Sequence, residues 1–138
     1  MVTTSDTQNH ERLALGDFGV LATIDPKHVV HQVPVVFTTL GNSLAIPIDT
    51  VKAKRSSELH RIQNLVRQPR ASLLVDHRAE DWRELWWVRV ELAFNTQRSP
   101  DRLWAHALGS KYPLYSQSGA IESILIFDIV TLSGWSAT

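Results

Sequence analysis

Cysteine is absent from the 138 residues, which removes disulfide frameworks, thiolate metal sites and cysteine nucleophiles from consideration. A surplus of charge is lacking as well. Lys and Arg together number 14 and Asp and Glu together 14, a balance unsuited to a dedicated nucleic-acid binder. No apolar run approaches the roughly 18 residues of a membrane span, and the opening MVTTSDTQNHER is polar where a signal peptide would be apolar. These absences predict a soluble, cytoplasmic protein, with no nucleic acid and no membrane among its partners. The six glycines form neither a G-x-G-x-x-G turn nor a P-loop, so a nucleotide would be held by side chains and strand backbone. No serine occupies a G-x-S-x-G elbow, which leaves nucleophilic hydrolysis unsupported.

What is present reads as one domain spanning residues 1–138, long enough to bury about two-thirds of its unfolded surface unaided. Ser5 or Asp6 can cap a short helix through about Leu15, with Gly16 as its stop. Phe18 to Asp25 is β-branched and apolar, a first strand, and Asp25-Pro26-Lys27-His28 is a turn. Val29 to Leu40 reads as one long second strand, with Pro34 marking an edge, a bulge or an interruption. Gly41-Asn42 turns the chain into a third strand, Ser43 to Asp49. Leu59, Ile62, Leu65 and Val66 form a helical stripe over Ser57 to Val66, halted by Pro69. Arg70 to Asp76, Leu85 to Asn95 and Ile121 to Leu132 complete six strands, and Ser99-Pro100-Asp101 opens a helix to about Leu108. Such a mainly β pattern with short helices predicts a small closed barrel carrying helices on its outside.

Three cations, Lys52, Lys54 and Arg55, stand directly before the helix that opens at Ser56-Ser57-Glu58. A helix N-terminus carries about half a positive charge and unpaired N–H groups, so cations there repel the dipole. A phosphate between them relieves that repulsion; a solvated basic turn is the plainer alternative. His28 and His31 are three apart on a predicted strand, hence on opposite faces, and cannot share a metal. Asp76, His77, Glu80 and Asp81 read as a solvated loop rather than a metal site. Five tryptophans are many for this length. Trp86 and Trp87 begin a strand with rings on opposite faces, whereas Trp82 stands in a charged loop where a large ring suits stacking or capping.

Several segments carry a resemblance: Phe18 to Asp25, Val33-Pro34-Val35-Val36-Phe37, Lys52-Ala53-Lys54-Arg55, Asn64 to Asp76, Trp82 with Leu85 to Arg89, Lys111-Tyr112-Pro113-Leu114-Tyr115 and Ser133-Gly134-Trp135-Ser136. In this order they resemble the flavin/deazaflavin split-barrel superfamily, which includes pyridoxamine 5′-phosphate oxidase. The nearer likeness is to its branch of probable coenzyme F-420-dependent oxidoreductases. The resemblance implies a six-stranded FMN-binding split β-barrel, a homodimer, and cofactor sites at the subunit interface. It assigns Lys52 and Lys54 to the cofactor's phosphate or acidic tail, with Arg55 adjoining and Arg61 as a further cation on the helix. It assigns Val35, Val36, Pro47 and Ile48 to the ring system, mainly through backbone, and Trp82 to the ring or tail. Two departures stand out: the helix after Lys54 carries extra residues, and Val88-Arg89-Val90-Glu91-Leu92 lacks a glycine common there. The implied activity is hydride transfer from F-420 to an unsaturated or otherwise activated small molecule. An FMN enzyme of the pyridoxamine-phosphate-oxidase type and a non-catalytic flavin, haem or tetrapyrrole binder are the alternatives. Position and a dry pocket suffice for such chemistry, so no catalytic residue is assigned; Lys111, Tyr112 and Tyr115 are the proton-donor candidates.

Overall fold

A computed structural model describes residues 2–49 and 55–138, without the side chains of 55–59. Among the described residues the order is β1 (Val2–Thr3), α1 (Asp6–Leu15), β2 (Gly19–Ile24), β3 (Val30–Val35), β4 (Thr38–Leu40), β5 (Ser43–Asp49), α2 (Arg55–Arg67), β6 (Arg70–His77), β7 (Trp86–Phe94), α3 (Arg102–Lys111) and β8 (Ile121–Ser136). Single 3-10 turns occur at Trp82–Glu84 and Pro113–Ser116. The helix signals act as read: the Ser5 hydroxyl accepts from the Gln8 amide, Gly16 ends α1, and the Asp101 carboxylate accepts from Leu103 and Trp104 at the start of α3. No helix among the described residues is long and apolar enough to cross a membrane.

The strands form one eight-stranded antiparallel sheet in the order β3-β2-β6-β7-β8-β5-β4, with β1 added against β8. That is two more than the six expected, for two physical reasons. The predicted strand from Val29 to Leu40 is divided at Val36-Phe37, because β3 pairs with β2 at one sheet edge while β4 pairs with β5 at the other. Two residues span only about 7 Å, so both edges converge at this point and diverge away from it. The result is a barrel that is split rather than sealed. The second addition, β1, is two residues long and has no pattern of its own; it exists through its pairing with Trp135 and Ser136.

β8 is the spine. Its first half pairs with β5 and its second with β7, and β7 shifts register against it between Glu91 and Leu92. Alternation places Leu21, Leu73, Val90 and Leu132 in one row across four strands, facing a core that also holds Phe37, Leu44, Ile46 and Phe127. β5 is buried along its whole length because α3 covers its outer side, where Trp104 packs on Ala45 and Ile126. Gly134 lets β8 pass beneath α1: a side chain there would run into Asn9 and Thr4.

Candidate functional site

The convergence of the sheet edges concentrates chemistry at one place. Val35 and Ile48 have their side chains in the central core, so each can present only backbone outward. Val36 is half-buried at the junction between β3 and β4. Pro47 lies buried in the part of β5 beyond the end of β4, opposite Ile124 of β8; with no N–H to leave unpaired, it suits a strand flank that lacks a neighbour. Lys52 and Lys54 lie outside the described residues, and so does the side chain of Arg55, whose backbone opens α2.

The chain after α3 locks this junction. The Tyr112 hydroxyl lies 2.7 Å from the Asp17 carbonyl oxygen and 2.9 Å from that of Phe37, and accepts from the Phe37 amide at 3.3 Å. It joins three segments and is saturated, a structural role rather than a proton donor's. The Tyr115 hydroxyl donates to the Asp49 carboxylate at 2.9 Å. Burial, then that carboxylate, pushes the phenol well above its ordinary value.

Lys111 differs from both. Its Nζ is buried without a hydrogen-bond partner among the described residues, 4.1 Å from the centroid of the Phe37 ring and 5.4 Å from that of Tyr112. Burial lowers its pKa to about 8, while the charge of Asp17 opposes the shift. Of the three proton-donor candidates, this ammonium alone has no acceptor among the described residues. It is also one residue away from the segment Val35–Val36 in the packing, through Phe37.

Trp82 and Arg61 lie in two further clefts. Trp82 is 77% exposed and borders a cleft of about 400 Å³ shared with His77, Leu85, Trp86, Trp87 and Trp135. The rim acids are neutralised locally: Asp76 pairs with Arg78 and Asp81 with Arg83. His77 stacks on Trp86 at 5.6 Å and 16°, leaving an aromatic wall of the kind that takes a flat ligand. Arg61 lines a cleft of about 580 Å³ between the β2–β3 hairpin and α2. His28 is in a turn with φ of 64° and not on the strand as expected, while His31 on β3 binds Asp25 at 2.9 Å. No group of three metal-ligating side chains occurs among the described residues.

The structure thus brings Val35, Val36 and Phe37 together with Lys111 and Tyr112, and places Arg61 and Trp82 elsewhere. The aromatic wall was partly legible from its tryptophans. The cleft along α2 was not, although Thr23 in an inward strand position and Asn64 beside the helical apolar stripe were visible signals.

No family model and no curated protein sequence matches the chain; solved structures do. An FAD-binding protein from Mesorhizobium loti is 20% identical with a TM-score of 0.65, over 96% of this chain and 93% of that one. An FMN-binding protein from Syntrophomonas wolfei is 15% identical, TM-score 0.66, over 95% and 88%. An F420 reductase is 15% identical, TM-score 0.61, over 94% and 96%. At these identities the likeness speaks for the fold, and it runs nearly end to end: the chain has the split-barrel fold of pyridoxamine-oxidase-like, flavin-type binding proteins.

Proposed function

We propose that the chain is an oxidoreductase that binds coenzyme F-420 and reduces an unsaturated or otherwise activated small molecule. The observation that carries this reading is the run Lys52, Lys54, Arg55 between the end of β5 and the body of α2, in a chain with this fold. A run of separate cations suits an anion longer than the single phosphate of FMN, such as a phosphodiester followed by acidic groups. The junction supports the ring end. Val35 and Ile48 turn their side chains into the core, which leaves strand backbone to face a planar group. The Lys111 ammonium nearby, without a hydrogen-bond partner among the described residues, complements an electron-rich edge of such a ring.

When bound and reduced, the deazaflavin supplies a hydride from a ring carbon. The remaining work falls to the chain itself. Lys52 and Lys54 hold the anionic end, and the β3–β4 backbone fixes the plane. Lys111 can release a proton near neutral pH, given a pKa of about 8.

A homodimer completes this proposal. Val20 and Leu74 are paired on the outer sheet face, as are Ile24 and Val30, and all four are exposed. A second copy covering them would place the cofactor at the subunit interface.

Titration of the purified protein with F-420, FMN and haem, side by side, tests the assignment. Tight F-420 binding, weakened in the Lys52→Ala and Lys54→Ala variants by roughly 1.5–3 kcal/mol each, together with oxidation of reduced F-420 by enones, quinones or nitroaromatics, is the expected result. Preferential FMN binding would make it an FMN enzyme. Tight binding without turnover of any acceptor would make it a carrier, and affinity unchanged in the double variant would remove the phosphate site.

A further inference from the structure

Four of the five tryptophans meet at one cleft. Trp82, Trp86, Trp87 and Trp135 line it together with Leu85 and His77, while the fifth, Trp104, is buried between α3 and the sheet. Register explains the gathering. Trp87 stands opposite Asp76 on β6 and Trp135 on β8, and Trp86 stands opposite His77, so three strands bring four rings to one end of the sheet. Trp86, Trp87 and Trp135 are half-buried there. Trp82 is not, although an indole is a large apolar surface to leave in water.

The turn that carries Trp82 is held from two directions. The Asp81 carboxylate accepts from the Arg83 amide at 3.0 Å and from its guanidinium at 2.8 Å. From the chain's other end, the Ala137 amide donates to the Leu85 carbonyl oxygen and the Thr138 hydroxyl to that of Arg83. The backbone beneath the indole is thus fixed in advance, which lowers the ordering cost of stacking a ligand on it. The walls also fix the charge of that ligand. Among the described residues of the lining, the one carboxylate, Asp76, and the one guanidinium, Arg78, pair with each other at 2.7 Å, so neither is left for an ion. A volume of about 400 Å³ lies within the range of small-molecule sites and takes roughly two or three fused rings.

We propose that this cleft binds an uncharged, planar fused-ring aromatic molecule, at a site separate from the cofactor's. Trp82 closes over one face of the ring system, the tryptophans of β7 and β8 form the wall, and His77 supplies a hydrogen bond to a hydroxyl or carbonyl group on the ligand. The lining shares no residue with the Val35–Phe37 junction or with Lys111, so the site goes beyond the deazaflavin reading and stands or falls without it. Trp82 then serves this second site and not the cofactor's ring or tail.

Calorimetric titration with 2-naphthol tests it, with decahydro-2-naphthol as the saturated, non-planar counterpart and 2-naphthoate as the anionic one. Saturable binding of 2-naphthol is expected, with both counterparts several-fold weaker. Trp82→Ala should weaken 2-naphthol binding about five- to tenfold, the worth of one stacked ring, and Trp82→Phe should restore part of it. Leu103→Ala, at an exposed apolar residue of α3, should change nothing. Saturating F-420 should leave the affinity for 2-naphthol as it was. Absence of binding at millimolar concentration, equal affinity for the saturated or the anionic counterpart, or affinity unchanged in Trp82→Ala would overturn the proposal. Displacement of 2-naphthol by F-420 or FMN would overturn it as well, by making the cleft part of the cofactor site. None of these results alters F-420 affinity or its dependence on Lys52 and Lys54, which test the cofactor reading on their own.

Discussion

Replacing Lys111 with Met should make the protein more stable at neutral pH, and the gain should vanish in alkali. The lysine Nζ is buried, has no oxygen partner among the described residues and faces the Phe37 ring. Its pKa falls from the ordinary 10.5 to about 8, so between those values the unfolded chain holds a proton that the folded chain has released. Stability therefore rises with pH across that window and is lower below pH 8, where the folded protein must carry a desolvated charge. At roughly 1.4 kcal/mol for each factor of ten, the ceiling is about 3 kcal/mol. Residual hydration of the partly buried side chain and attraction to the Phe37 ring reduce the expected value to about 2 kcal/mol. Lys111→Met keeps the length of the stem and removes the charge. Urea unfolding of both proteins at pH 7, 8, 9 and 10 measures the difference. The variant should lead by about 2 kcal/mol at pH 7, and the gap should narrow steadily toward pH 10. The raised phenols of Tyr112 and Tyr115 favour unfolding above pH 10 in both proteins and cancel in the comparison. A gap that stays constant with pH, or a wild type more stable at pH 7, would refute a desolvated ammonium at this position.

Three other changes have defined outcomes. Tyr112→Phe removes the hydroxyl that joins Asp17 to Phe37 and should cost about 1–3 kcal/mol in chemical denaturation, with no loss of cofactor affinity beyond that due to unfolding. Trp82→Ala should leave stability unchanged in urea unfolding, because the ring is 77% exposed. Light scattering at micromolar concentration should give about twice the chain mass of 15.6 kDa, and Leu74→Lys on the outer sheet face should shift that value toward the monomer.

Features written in local chemistry were legible from the sequence. Ser5, Gly16 and Asp101 act as helix caps because a cap depends on side chains within three residues of it. The strand from Ser43 to Asp49 was bounded correctly, since Gly41 adopts the positive φ that its turn requires. Features written in pairing were less legible. Val29 to Leu40 is apolar and β-branched throughout, and no local signal announces that its halves join opposite edges of the sheet. β8 continues beyond Leu132 to Ser136, through serine and glycine, because β7 and β1 supply partners on both sides; tertiary pairing overrides a weak strand propensity there.

The candidate site divides along the same line. Residues that contact a ligand through backbone, such as Val35 and Ile48, carry side chains chosen by the core, so their sequence records packing and says nothing of a ring. Charged residues are more telling when they oppose a local preference: Lys52 and Lys54 do so ahead of a helix start. Buried polar residues are the most telling, yet only after folding has shown which are buried. Thr23 and Asn64 look ordinary in a strand and a helix. They become informative once β2 and α2 place them, nearly buried, in the lining of one cleft.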